Sequence, residues 1–195
     1  LKKQRINPQN YNMDNFNLSD VISEEYRKKL EWATKEMPWG GAVIGSHPRI
    51  LKWAKEYECK SILDYGSGKS DFLNIINVEF PDHGFQINQY EPGRPEFAMD
   101  PPVSDMSICV DVLEHIEPEK LDSVLDHIYA KTNKIFYFKV CLVASHSTFP
   151  DGQNLHLIIE DKDFWIDKLS KYYTLEDIVF TSGHVWGLAI KNEEE

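Results

Sequence analysis

Apolar and polar positions divide the chain into stretches of different period. Residues 1–18 are polar, contain five Asn and show no apolar period, so they read as a loose arm. Tyr26, Leu30, Ala33 and Met37 then recur at helical spacing and predict a helix over about 20–37. Met37-Pro-Trp-Gly-Gly41 stops it, because Pro38 restrains its predecessor and the glycines break the period. Ser46 as N-cap and Pro48 in a first turn predict a second helix, with Ile50, Leu51, Ala54 and Tyr57 turned inward. From residue 60 strands and helices alternate. Strand patterns cover 61–65, 85–90, 106–112 and 135–144; the 106–112 run is nearly apolar throughout, as a strand buried on both faces should be. Between them, Phe72, Leu73, Ile75 and Ile76 mark one helix, and Leu121, Val124, Leu125 and Ile128 a second that starts at Glu117-Pro118. A third helix spans 161–172, with Trp165, Leu169 and Tyr172 on one side, before two strand-like runs, 174–181 and 184–191, joined at Ser182-Gly183.

This alternation predicts an α/β fold, a mostly parallel sheet with helices on both faces and one antiparallel strand from the closing hairpin. Ligands of such sheets bind outside the carboxyl ends of the strands. The informative residues therefore lie just after each parallel strand.

Composition narrows the function. The chain has 195 residues, with 21 Lys and Arg against 32 Asp and Glu, a net charge of −11. Its longest basic run is Arg27-Lys28-Lys29, which disfavours a nucleic-acid partner, since phosphate backbones are held by clustered cations. No apolar stretch reaches the ~18 residues of a membrane span, and the basic start Leu-Lys-Lys-Gln-Arg is not followed by the apolar run of a signal peptide. Cys59, Cys109 and Cys141 match no zinc spacing and no disulfide framework. A reducing cytoplasm fits these features.

The turn after the first strand reads Asp64-Tyr-Gly66-Ser-Gly68-Lys-Ser70. Gly68-Lys69-Ser70 suggests a P-loop, but the glycine that should open such a loop is Leu63, inside the strand. A dinucleotide fingerprint fits Gly66 and Gly68 but fails at its third glycine, where Asp71 stands and would repel a pyrophosphate. An S-adenosylmethionine (SAM) loop suits the residues better. That ligand carries no phosphate; Asp64 can hold its ammonium group, and the glycines let the backbone approach the nucleoside. Glu91, directly after the second strand, can accept both ribose hydroxyls.

Leu63-Asp-Tyr-Gly-Ser-Gly-Lys69 and Ser107-Ile-Cys-Val-Asp-Val-Leu-Glu-His-Ile116 resemble the first and fourth motifs of class I SAM-dependent methyltransferases. Gln89-Tyr-Glu-Pro92, Asp111–Pro118, Leu155 in Pro150–Leu157, and Asp163–Leu169 are similar to a group of small methyltransferase-domain proteins of bacteria and phages. The resemblance covers about residues 37–190; Ser70 departs from it, where many relatives have Gly. It implies a Rossmann-like sheet of seven strands with the last antiparallel, SAM as methyl donor, and a cofactor set of Asp64, Gly66, Gly68, Glu91, Asp111 and Val112. It also implies an N-terminal arm and helix, residues 1–45, over the donor site of a 46–195 methyltransferase domain, with Trp39 as a lid candidate.

Only 14 residues, 92–105, separate Glu91 from Met106, which leaves room for a short strand at 96–99 and little helix. Asp100 becomes a candidate for the adenine amino group. Asp100-Pro-Pro-Val103 is set aside as a base-methylating motif, because an aliphatic residue stands where an aromatic should stack on the base.

On the acceptor side, His115 follows the third strand run and His156 an Asp-Gly turn after the fourth, so both are candidates for general base. His47, His83 and His127 sit in polar or helix-surface contexts. Some relatives with an E-x-x-E-H run bind a divalent ion, for which Asp111, Glu114, His115 and His156 would be the counterparts; with Asp at the first position and no further acid downstream, no metal is assigned. The expected activity is methyl transfer from SAM to a small-molecule, glycan or peptide acceptor. The alternative is a non-catalytic SAM-binding or accessory module.

Overall fold

A computed structural model describes residues 16–37, 45–69 and 71–192, excluding the side chain of Asp71. Trp39, Ser70 and residues 1–15 lie outside the described residues. The chain forms α1 (Leu18–Val21), α2 (Glu24–Glu36), α3 (His47–Glu56), β1 (Ser61–Tyr65), α4 (Asp71–Glu79), β2 (Gln86–Tyr90), β3 (Ser104–Val110), α5 (Leu121–Lys131), β4 (Thr132–Cys141), α6 (Lys162–Leu169), β5 (Tyr173–Phe180) and β6 (His184–Lys191).

The strands make one sheet in the order β2-β1-β3-β4-β6-β5. β2, β1, β3 and β4 run parallel, and β6 is antiparallel to both its neighbours. The sheet among the described residues has six strands, one fewer than the resemblance implies. The missing strand is the one expected at 96–99. Its residues form a 3-10 turn, Pro95–Phe97, closed by Glu91 N–H donating to the Phe97 carbonyl at 3.1 Å. Prolines 95, 101 and 102 remove the ladder donors that a strand there would need.

Alternation along β4 sets the two layers. Phe136, Phe138 and Val140 pack toward α1, α2, α5 and α6, whereas Ile135 and Tyr137 pack toward α3 and α4. Both faces are buried at the centre of the sheet, which explains the largely apolar runs at 106–110 in β3 and 135–138 in β4. β3 ends at Val110, two residues before the end of its apolar run, because Asp111 takes a left-handed conformation with φ +51° and turns the chain. The run continues past the strand because the turn is itself core: Leu113 is fully buried.

Ser23 starts α2 as N-cap, its hydroxyl accepting from Tyr26 N–H at 3.1 Å. Ser46 makes no such cap bond and instead accepts from the Tyr137 hydroxyl at 3.2 Å. Among the described residues no helix is long and apolar enough to cross a membrane.

Candidate functional site

The carboxyl ends of β1, β2 and β3 open into a cavity of about 410 Å³, in the range of small-molecule sites. Asp64, Gly66 and Gly68 line it from the first turn, Glu91 from the second, and Asp111, Val112 and His115 from the third; His156 lines it from the loop after β4. α2 forms its cover, contributing Tyr26, Leu30 and Thr34.

The glycine turn is held by the neighbouring strand. Gly66 and Ser67 N–H donate to the Tyr90 carbonyl at 2.8 and 3.0 Å. Gly66 has φ +78°, and a Cβ there would meet Val112 Cγ2 at 2.5 Å. Conformation and space therefore both require glycine at this position. Gly68 also sits at positive φ, +51°.

Glu91 organises the side of the cavity next to the glycine turn. Its Oε2 accepts from Gly68 N–H at 3.0 Å and its Oε1 from Gly93 N–H at 2.9 Å. Burial pushes its carboxyl pKa up, while the two N–H groups pull it down. Arg94 donates to the Gly68 carbonyl at 3.1 Å and Lys69 to the Met37 carbonyl at 2.7 Å, joining the glycine turn to the β2 loop and to the end of α2. Asp64, at 4% exposure, stands at the edge of the same turn. The hydroxyls of Ser67 and Tyr26 line the cavity, are buried and have no hydrogen-bond partner among the described residues. A polar ligand that brings donors and acceptors fits such a lining.

Asp100 lies elsewhere. It is not part of the cavity lining; its carboxylate takes His127 Nε2 at 3.0 Å and Lys131 Nζ at 2.5 Å. The expectation that it meets an adenine amino group is corrected accordingly: the short 92–105 loop carries it to α5. His127, expected at the surface, is fully buried between Asp100 and the Tyr65 hydroxyl, which lies 2.9 Å from Nδ1, with Phe16 stacked on its ring at 4.7 Å. Its pKa is lowered to about 4 by burial, against the opposing pull of Asp100.

The side of the cavity lined by His115 and His156 has its own frame. The segment after β4 is stapled by Asn154, whose side chain accepts from Ser145 and His156 N–H and donates to the Ser145 carbonyl. Gly152, at φ +87°, makes the reversal that returns the chain to the site. Leu157 and Ile158 N–H then donate to the Glu114 carbonyl at 2.8 and 3.0 Å. These bonds bring His115 and His156 together, their rings perpendicular and 4.8 Å apart. His115 Nδ1 lies 2.8 Å from the Leu155 carbonyl and His156 Nδ1 2.6 Å from the Val143 carbonyl. A carbonyl only accepts, so both Nδ1 atoms carry the proton and each Nε2 presents a lone pair. Burial and the neighbouring His156 lower the His115 pKa to about 4. Asp111 accepts from Lys139 Nζ at 2.7 Å. Lys29 on α2 reaches across to Asp151 at 2.6 Å and Gln153 at 2.9 Å, tying the cover to the loop that carries His156.

The sequence grouped Glu114 with Asp111, His115 and His156, and gave Cys141 no zinc spacing and no place in that group. Glu114 and Cys141 are both buried beside His156, and the apolar surroundings of Cys141 gave no local signal.

No protein-family model matches this sequence, and no curated protein matches it. Solved structures do. A 1,6-didemethyltoxoflavin-N1-methyltransferase of Burkholderia thailandensis, bound to 1,6-didemethyltoxoflavin and S-adenosylhomocysteine, superposes with a TM-score of 0.60 at 12% identity, over 99% of this chain and 94% of that one. The chain has the class I methyltransferase fold. A DhpI complex with S-adenosylhomocysteine gives 0.52 at 12% identity, covering 91% of this chain and 98% of that one. The mitomycin 7-O-methyltransferase MmcR gives 0.53 at 12% identity, over 83% of this chain and 60% of that one. In this methyltransferase fold the last strand, β6, is the antiparallel one.

Proposed function

We propose that this protein is a SAM-dependent methyltransferase acting on a small-molecule acceptor. One observation carries the reading. A buried carboxylate, Glu91, stands at the end of β2 with each oxygen on a backbone N–H, one of them from the glycine turn that follows Asp64. Each oxygen keeps a lone pair for a further donor, and two adjacent hydroxyls of a ribose supply two. Similar folds whose structures contain S-adenosylhomocysteine support the same cofactor.

SAM supplies a methyl group on a cationic sulfonium. Around it, Asp64 holds the ammonium end, Glu91 the ribose, and the backbone at Gly66 and Gly68 passes close to the nucleoside, with Val112 closing the third side. α2 acts as the cover; its Tyr26 and Leu30 exclude water from the donor and orient it. His115 and His156 face the acceptor, and at least one of them takes or orients the proton of its hydroxyl or amine. The cavity wall carries several acids and, as its only cation among the described residues, Lys69, which is bound to the Met37 carbonyl. That charge balance favours an uncharged acceptor over an anionic one.

Incubation with methyl-labelled SAM and fractionated small-molecule extract tests the proposal. Transfer of label to a low-mass product, absent from a Glu91→Ala control, is the expected result. A protein that binds SAM but labels nothing would instead be an accessory module.

A further inference from the structure

Three different ligating groups meet where the β3 turn touches the end of β4. A carboxylate oxygen of Glu114, the sulfur of Cys141 and a ring nitrogen of His156 all lie within 4.8 Å of one another. They come from three separate segments, so the cluster is a product of the tertiary fold and not of a local turn.

Each member is prepared for a ligand. Glu114 is fully buried; its Oε1 accepts from Cys141 N–H at 3.0 Å, and its Oε2 is buried with no hydrogen-bond partner among the described residues. An orphaned carboxylate oxygen is costly in a protein interior, and a cation is its natural complement. His156 donates Nδ1–H to the Val143 carbonyl, which fixes the tautomer with its Nε2 lone pair outward. Metal-binding imidazoles are commonly oriented by a backbone carbonyl in this way. Among the described residues Cys141 Sγ makes only a long contact, 3.7 Å, to the same carbonyl. Lys139, the nearby ammonium, is engaged by Asp111.

We propose that Glu114, Cys141 and His156 form a binding site for a divalent cation of the zinc class. Sulfur and nitrogen donors select such an ion over magnesium or calcium, which prefer oxygen. A tetrahedral ion with bonds of about 2.0–2.3 Å sets its ligands roughly 3.3–3.8 Å apart, so groups within 4.8 Å of one another need close by no more than about 1–1.5 Å around it. The set differs from the Asp111, Glu114, His115 and His156 grouping considered from sequence. Asp111 is held by Lys139, and the His115 Nδ1 proton is on the Leu155 carbonyl. Three protein ligands leave a fourth position for water or an acceptor atom, and His156 puts that position at the cavity wall. An ion held by these residues would supply Lewis-acid polarisation to an acceptor hydroxyl at that position.

The test is a cobalt(II) titration of the chelator-treated full chain, followed by optical absorption. The expected result is one equivalent bound, with a thiolate-to-cobalt charge-transfer band in the near ultraviolet that zinc abolishes by displacement. Cys141→Ser should remove the band, Glu114→Gln and His156→Ala should each weaken cobalt binding by about tenfold or more, and Cys59→Ser should change nothing. If Cys141→Ser or Glu114→Gln fails to fold by circular dichroism, His156→Ala, at a half-buried position, decides the matter alone. Absence of stoichiometric binding, or cobalt affinity untouched in His156→Ala, overturns the proposal. The readout is metal binding, so it is independent of methyl transfer.

Discussion

A methyl group on Gly66 would lie 2.5 Å from the Val112 side chain. The turn after β1 and the turn after β3 are therefore in contact with no room for an extra atom between them. Gly66→Ala should destabilise the fold by about 1–3 kcal/mol through overpacking, with a further ~1–2 kcal/mol from the left-handed conformation. It should also lose SAM binding. Thermal melting and calorimetry of the variant check both; a variant with wild-type melting and affinity would place the glycine turn outside the donor site.

Glu91→Ala removes the acceptor of the Gly68 and Gly93 N–H groups together with the proposed ribose acid. SAM affinity should fall by about 1–3 kcal/mol, the usual loss for hydrogen bonds to a charged group. Calorimetric titration measures it directly, and unchanged affinity would move the ribose acid elsewhere.

His127 makes a pH prediction. Its pKa is about 4 in the fold against 6.5 for the ordinary imidazole, so the native state binds fewer protons between these values. Stability from this group is present above about pH 6.5 and is lost as pH falls toward 4. The groups facing it are Asp100, Lys131, Tyr65 and the Phe16 ring. Urea unfolding at several pH values should show His127→Phe less stable than wild type at pH 7, with the gap narrowing by pH 4.5. A constant gap would mean that the imidazole is already charged in the fold.

His115→Ala and His156→Ala should leave SAM affinity near wild type. At least one of them should lower turnover by about 10²–10⁴, the usual range for loss of a general base. Comparing binding with turnover, once an acceptor is found by labelling, separates this role from a structural one. Normal turnover in both variants would make the pair structural.

That Asp64, Gly66, Gly68 and Glu91 share one cavity wall was readable in the sequence because each follows from the ends of adjacent parallel strands. Gly66 sits at positive φ, Asp64 and Glu91 end adjacent parallel strands, and short loops keep them near those ends. The rest was hidden where long-range packing overrides local pattern. His127 looked like a surface residue because its partners, Tyr65 and Asp100, lie 62 and 27 residues away. Cys141 could not be grouped with Glu114 and His156 because only the return of the 145–158 loop puts His156 beside them. The third strand seemed to extend to Val112 because the turn after it is as apolar as the strand. The 96–99 segment matched a strand in length, but proline chemistry on either side bends it into a 3-10 turn.

The central claim is that the cavity at the ends of β1, β2 and β3 is a SAM site. Isothermal calorimetry of the full chain with SAM and with S-adenosylhomocysteine tests it most directly. The expected result is one site per chain, affinity tighter than millimolar for both, and mutual competition between them. Binding of neither ligand below millimolar concentration would contradict it.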